Sequence, residues 1–378
     1  MEAEYSWPRV RPSRRLTEAM RLKIALLFGG RSGEHEVSVR SAASVAAALA
    51  DRYDVLPVYI DHSGRWFLRG GLDAGDGTPV FLAPEPAEGG RLRRRQDAVE
   101  VARPDVYFPV LHGTYGEDGT VQGLLELAAV PYVGAGVAAS AAAMDKELAK
   151  ALFAHAGVPQ GPYRVLRRRD PGQEARLLAE LGLPLFVKPA NLGSSVGVTK
   201  VKEAAGLGPA LEAALAYDLK AVIEASIDAR EIEVSVLGND DPEASLPGEI
   251  LPDREFYDYD SKYSAQSRTE LKIPAPLAPG AVAEAQRLAK AAFRAVDACG
   301  YARVDLFLER ESGRLLVNEI NTIPGFTSIS MFPKLWEASG LPYPDLLGRL
   351  VDLARERYAR RAGLRTDYRP PGRDPAPA

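Results

Sequence analysis

The sequence predicts two architectures in series, an α/β region with a parallel sheet followed by α+β regions. Three observations carry that expectation. Short apolar runs alternate with helical patterns up to about residue 128, a glycine-serine loop sits between short strands near residue 190, and a long helix precedes a hairpin near the C-terminus. With 378 residues the chain exceeds what one core serves, so two or three cores are expected.

Taken in order, Leu22 to Phe28 is an apolar run that ends on Gly29-Gly30, and an alanine-rich helical stretch follows from Val37 to Leu49. Runs at Asp54 to Ile60 and Asp105 to Val110, then a helical pattern from Gly119 to Ala128, continue the parallel alternation expected of residues 21–134. The middle, 135–228, reads as a smaller unit. It has a helix over Ala142 to Ala156, strands at Leu185 to Lys188, Val198 to Val201 and Ala221 to Glu224, and a helix over Glu203 to Ala216. Residues 229–362 give a strand (Glu231 to Leu237), a polar loop-rich stretch to Pro279, a helix (Gly280 to Ala298), the hairpin (Ala302 to Ile320) and a closing helix (Tyr343 to Arg357). Residues 1–20 read either as a disordered arm or as lying upstream of a start at Met20, and 363–378 as a disordered proline-rich tail.

Composition removes several function classes. A net charge of -4 offers no global attraction for nucleic acid or an anionic membrane, and the low-charge stretch Ala128 to Met144 is broken by Pro131 and two glycines. With Cys299 as its one cysteine the chain has no intramolecular disulfide and no thiolate metal site, which fits a reducing cytoplasm. Small-molecule chemistry is what remains.

The hairpin is the most informative segment. Arg303 and Asp305, like Glu319 and Asn321, are two residues apart and share a strand face. With Ser312 at the turn centre, a symmetric hairpin sets Asp305 opposite Glu319 and Arg303 opposite Asn321, with Cβ atoms roughly 5 Å apart. Opposed carboxylates repel unless a cation intervenes, and an all-oxygen ligand set favours a hard ion such as Mg2+. A solvated polar face with an Arg-Asp pair satisfies the same pattern.

The loop from Lys188 to Gly197 is rich in small residues whose N–H groups can approach phosphate, although it lacks the Walker order and also reads as a flexible turn. Only 11 of the 47 cationic residues are lysine, yet Lys146, Lys188 and Lys262 all adjoin turn or loop signals. Gly29 to Glu36 and His112 to Gly123 end two strands and should leave the same carboxyl edge of the first sheet, where open α/β sheets bind ligands. The GxGxxG spacing of a dinucleotide fold is missing. Of the histidines, His112 is credited with a role, His62 and His155 read as ordinary surface or packing positions, and His35 is undecided.

Six segments in order, HGxxGEDGxxQG from His112, Met144-Asp-Lys146, VKPxxxGSSVG from Val187, Ser261-Lys-Tyr263, Arg303-Val-Asp305 and NEINTxPGFTxxS from Asn318, resemble the D-alanine:D-alanine ligases of the ATP-grasp superfamily over about Arg21 to Arg357. The resemblance implies an ATP-grasp fold preceded by a Rossmann-like N-terminal domain, and ATP-dependent joining of two D-alanines through an acyl phosphate for peptidoglycan precursors. It implies ATP contacts from Lys146, Lys188, Ser195, Glu224 (adenine amino group), Glu231 (ribose) and Lys262 (γ-phosphate). Asp305, Glu319 and Asn321 would hold two Mg2+ (or Mn2+) ions, and Arg303 with the Gly325 N–H would meet the oxyanion. Glu34, with His112 nearby, would take the first substrate's ammonium, and Ser330 with the Met331 backbone the second substrate's carboxylate.

By the same resemblance Tyr263, Ser194 and Glu34 would form a chain closing a loop over Asp258 to Thr269, and Tyr263 favours the dipeptide over the D-alanyl-D-lactate ester. That ester ligase, or a nucleotide-binding module without catalysis, is the alternative. A homodimer through the first domain is implied. Departures from the pattern are the N-terminal arm, a long connection from Asn239 to Pro247, and Ala190 and Asn191 in the loop.

Overall fold

The computed structural model describes residues 21–365 except 73, 74, 76, 169, 171, 194–196 and 252–268. The first sheet contains β1 (Lys23–Gly29), β2 (Asp54–Ile60), β3 (Trp66–Leu68), β4 (Thr78–Leu82), β5 (Leu92–Arg94), β6 (Glu100–Ala102) and β7 (Val106–Pro109), in the order β6-β5-β4-β3-β2-β1-β7. Only β2-β1-β7 are parallel, and β3 to β6 extend the sheet as antiparallel strands. The sequence reading had no strands in that extension: β3, β5 and β6 have three residues each, too few to display a period, and the five-residue β4 carries Pro79, which reads against a strand.

β1 runs through the middle of this sheet. Ile24, Leu26 and Phe28 face one core with α1 (His35–Leu49), while Ala25 and Leu27 face another with α2 (Thr120–Leu127). Burial on both faces is why the run is apolar without alternation.

The second sheet, β8 (Tyr163–Leu166), β9 (Leu185–Pro189), β10 (Thr199–Val201) and β11 (Ala221–Ala225), is antiparallel in the order β10-β9-β11-β8. Its core is closed by α5 (Gln173–Leu181) and α6 (Leu207–Tyr217), which contribute Leu177, Leu207 and Leu211. The single helix expected over Ala142 to Ala156 is two, α3 (Val137–Met144) and α4 (Lys146–His155). Asp145 breaks the helix with an extended backbone, and its carboxylate accepts from the N–H groups of Glu147 and Leu148. An aspartate that caps an N-terminus competes with helix continuation.

The third sheet comprises β12 (Ala229–Gly238), β13 (Glu243–Ala244), β14 (Gly248–Leu251), β15 (Glu270–Lys272), β16 (Gly300–Glu309) and β17 (Leu315–Asn321), in the order β15-β14-β12-β16-β17 with β13 paired to β12. The stretch expected to be loop-rich therefore holds three short strands. The helix α7 (Pro279–Ala295) packs Leu288, Ala292 and Phe293 on this sheet, and Ala139 and Phe153 of α3 and α4 join the same core. Two C-terminal helices, α8 (Met331–Ala338) and α9 (Tyr343–Ala362), return to the first sheet, where Phe332, Trp336 and Leu347 share its core. No helix among the described residues is long and apolar enough to cross a membrane.

Candidate active site

The hairpin seats four polar groups as its pattern predicts. Arg303 pairs with Asn321 and Asp305 with Glu319, while Val304, Val317 and Ile320 point into the core on the other face. The hairpin is not symmetric throughout. A bulge between Asp305 and Leu306 shifts the register so that Leu306 meets Val317, with Asn318 as the extra residue. The symmetric expectation is thus corrected beyond the site, and the bulge lets the four functional groups keep their register despite it.

On the other side of β16, Glu233 of β12 lies opposite Asp305. The Arg303 guanidinium is caught between them, bonded to both Asp305 oxygens at 2.6 and 2.7 Å and 3.1 Å from Glu233. Burial alone would lower the arginine's pKa. The charges of Asp305 and Glu233 outweigh that and hold it far above its usual range. Asn321 Nδ2 donates to Asp305 at 3.1 Å.

These residues stand at the seam between two pockets. The larger, about 600 Å3, lies between the second and third sheets and is lined by Lys146, Lys188, Glu224, Glu231, Asp305, Glu319 and Asn321 among others. The smaller, about 110 Å3, is lined by Glu34, His112, Gly325, Ser330 and Met331, and it shares Glu117, Arg303, Glu319 and Asn321 with the first.

In the larger pocket Glu224 is buried between Lys188, at 2.6 Å, and Lys150, at 3.0 Å. Desolvation pushes the carboxyl up, but the two lysines prevail and bring it down to about 2. For Lys188, burial is outweighed by Glu224 and Glu319 and the ammonium is stabilised. Lys146, which donates to the Leu192 carbonyl at 2.7 Å, is instead lowered, since burial exceeds the help of Glu319. The sequence reading set Lys188 on phosphate and Glu224 on adenine; here they form one ion pair.

The smaller pocket is crowded with acid. Glu34 follows β1, and Glu117 belongs to the loop after β7; as parallel neighbours, those strands end on one edge, as expected. Ser32 Oγ donates to the His112 carbonyl at 2.7 Å and ties the two loops together. Glycine is required at 113, where φ is +75° and a Cβ would come within 2.9 Å of Glu34 Oε2; Gly193 of the Lys188–Gly197 loop approaches the same oxygen as closely. Burial, then the charge of Glu34, raises Glu117 to about 8, so it is protonated at neutral pH.

His112 is buried, with Nδ1 2.9 Å from the Ile323 carbonyl and Nε2 3.1 Å from Ser41 Oγ. Burial lowers its pKa despite the charge of Glu34. Ser330 Oγ accepts from Thr327 N–H at 3.0 Å and sits 2.7 Å from where a Gly325 Cβ would be, so that position needs glycine.

All the expected site residues that the structure describes therefore line one or both pockets. Ser194, Ser195, Lys262 and Tyr263, and the expected closing loop up to Arg268, lie outside the described residues. Sequence reasoning missed Glu117, Glu233 and Lys150. Glu117 stands in the quoted HGxxGEDG segment, Glu233 one strand period after Glu231, and Lys150 one helical turn after Lys146, so each carried a signal.

The undecided His35 is a packing residue, bonded to the Gly30 carbonyl at 2.7 Å and Tyr59 Oη at 3.2 Å. With Glu36 and His62 it brings potential ligand atoms within 4.8 Å of one another. The two imidazoles stack with centroids 3.8 Å apart, so their in-plane lone pairs do not converge on an ion.

The donor set at the seam, two carboxylates and an amide oxygen facing a pocket rich in lysine, fits a divalent hard cation accompanied by phosphate. Comparison with known proteins gives the family. Residues 23–135 match the family model for the D-ala D-ala ligase N-terminus and 152–352 that for the C-terminus. The chain is 50% identical over 364 residues to a D-alanine--D-alanine ligase of Heliobacterium modesticaldum, covering 93% of this chain and 99% of the relative. It is 48% identical to D-alanine--D-alanine ligase A of Bradyrhizobium diazoefficiens, with the same coverage. Among solved structures, the D-alanine-D-alanine ligase of Coxiella burnetii superposes with a TM-score of 0.79 at 39% identity, covering 90% of this chain and 97% of that one. The VanG D-Ala:D-Ser ligase of Enterococcus faecalis gives 0.78 at 34%, covering 88% and 99%.

Proposed function

The chain belongs to the D-alanine–D-alanine ligase family, and from that premise we propose how its two pockets divide the work. The reaction joins two D-alanines at the expense of ATP and leaves ADP and phosphate, a step of peptidoglycan precursor synthesis. The carboxylate of the first D-alanine attacks the γ-phosphorus, and the bond to the β–γ bridging oxygen breaks. The amine of the second then attacks the acyl carbon, and phosphate departs from the tetrahedral intermediate as the amine gives up its proton.

ATP occupies the larger pocket, with Lys146 and Lys188 on its phosphates, Glu224 and Glu231 at its nucleoside end, and Ser195 and Lys262 completing the set. Asp305, Glu319 and Asn321 would hold two Mg2+ (or Mn2+) ions, which would supply neutralisation of the phosphate charge. The first D-alanine sits in the smaller pocket with its ammonium on Glu34, beside the buried Glu117. Arg303 and the Gly325 N–H stabilise the oxyanion. Ser330 and the Met331 backbone receive the second carboxylate, and Tyr263 with Ser194 shields the acyl phosphate from water. Functionally the chain divides into 21–134, 135–228 and 229–362, works in the cytoplasm and pairs as a homodimer.

The observation that supports this reading is the register of Arg303 with Asn321 and of Asp305 with Glu319, which gathers two carboxylates, an amide and a guanidinium between a pocket of about 600 Å3 and one of about 110 Å3. The test is phosphate release from ATP and Mg2+ with D-alanine, with each L-amino acid, and with D-lactate offered against D-alanine. D-alanine should stimulate release with one dipeptide per phosphate. Release that ignores D-alanine, or a preference for D-lactate near neutral pH, would reject the reading.

A further inference from the structure

The helix α1 carries three serines at helical spacing, Ser38, Ser41 and Ser44. Ser38 and Ser41 have no exposure at all, and a buried hydroxyl is costly unless it is bonded. Ser38 Oγ accepts from the Gly29 N–H at 2.8 Å and donates to the Val110 carbonyl, clamping the ends of β1 and β7. The other two serines act on the loop that follows β17.

The tautomer of His112 follows from its partners. The Ile323 carbonyl can only accept, so Nδ1 carries the proton, and the neutral ring leaves Nε2 as an acceptor. Ser41 therefore donates to Nε2 and accepts, at 3.3 Å, from the N–H of Phe326. On the far side of that residue, Tyr343 Oη donates to the Phe326 carbonyl at 3.3 Å and accepts from Ser44 Oγ at 3.2 Å. Gly325 lies between two pinned points, the Ile323 carbonyl and the Phe326 peptide. Phe326 itself is packed edge-on against Phe108, Tyr301 and Phe332.

We propose that Ser41, backed by Ser44, is a positioning residue that fixes the Gly325 N–H through His112 and the Phe326 peptide, and that His112 serves the reaction through this strut rather than by touching substrate. Both ring nitrogens are consumed within the protein, so the imidazole has no N–H to offer the first amino acid. An oxyanion donor is effective only when held where charge will develop, and one hydrogen-bonded helix holds this one from both sides. The kinetic half of the proposal rests on the ligase reading; the structural half does not.

The experiment compares wild type with Ser41→Ala and Ser41→Cys. Without substrate, amide hydrogen exchange over residues 321–330 should speed up tenfold or more in Ser41→Ala and leave β9 and β11 unchanged. In turnover, kcat should fall at least tenfold while KM for the first D-alanine and for ATP stays within twofold. Affinity for a tetrahedral dipeptide phosphinate should fall with kcat, and the weakly bonding thiol of Ser41→Cys should recover part of both. If Ser41→Ala does not fold, Ser44→Ala should give the same split with a smaller drop. Unchanged exchange in that loop, or a rise in the D-alanine KM with kcat preserved, would overturn the strut. A wild type that releases no phosphate in response to D-alanine sinks the ligase reading instead, and the exchange result then decides the strut alone.

Discussion

The two pockets handle buried charge in opposite ways. In the larger one, cations and carboxylates are matched: Lys150 and Lys188 share Glu224, and Glu224 is driven to about 2. In the smaller one, carboxyls are buried together, and burial first, then the charge of Glu34, raises Glu117 to about 8. A matched pocket can receive a polyanion by exchanging one partner of its lysines for phosphate. A pocket of crowded, buried acids sheds charge by protonation. Arg303 stands where the two regimes meet and is held by the carboxylates of the seam.

If that contrast is right, disturbing the seam should be the most damaging change. Arg303→Ala removes the donor proposed for the developing oxyanion, and kcat should drop about 10²- to 10³-fold. ATP affinity by calorimetry should change less than threefold, and a comparable loss of ATP binding would place Arg303 in the nucleotide pocket instead. Next, Glu319→Gln deletes one charge of the proposed ligand set at constant shape. The Mg2+ concentration for half-maximal turnover should rise roughly tenfold by the loss of a carboxylate ligand, and an unshifted activation curve would break the metal assignment.

The matched pocket is tested by acid. The Glu224 carboxyl is lowered in the fold, so its stabilising effect is present above its unfolded value, 4.5, and is lost as pH falls toward about 2. Urea midpoints of Glu224→Gln should be flatter than wild type over that window, a difference on the order of 2 kcal/mol. The crowded pocket gives the smallest effect and the opposite sign. The Glu117 carboxyl is raised, so stabilisation is full below 4.5 and lost as pH rises through about 8. Glu117→Gln imitates the protonated form, and turnover at pH 7 should stay within about twofold. Its thermal midpoint should decline less than that of wild type between pH 5 and 9; parallel profiles would mean Glu117 is ionised.

Much of this was legible from spacing. The two-residue intervals of Arg303–Asp305 and Glu319–Asn321 placed four groups on one face because the strand period is two, and the order of β1 and β7 put Glu34 and His112 at one edge. The bulge at Asn318 was not legible, since nothing local marks an extra residue when both strand faces keep their polarity. The β3–β6 extension and the break at Asp145 were missed for a related reason: the three-residue strands β3, β5 and β6 show no period, β4 is interrupted by Pro79, and an aspartate reads as a cap only when its carboxylate is seen bonding forward.

What the sequence by itself determined was the order of the longer strands and helices, the hairpin register at the site and the chemical types gathered there, because these depend on spacing along one chain. Only the tertiary structure decided which charges are matched and which are crowded. It also joined Glu117 to Glu34, Lys150 to Glu224 and Ser41 to a loop 285 residues away. Those pairings follow from how separate layers pack and how much water they exclude, and no local interval encodes that.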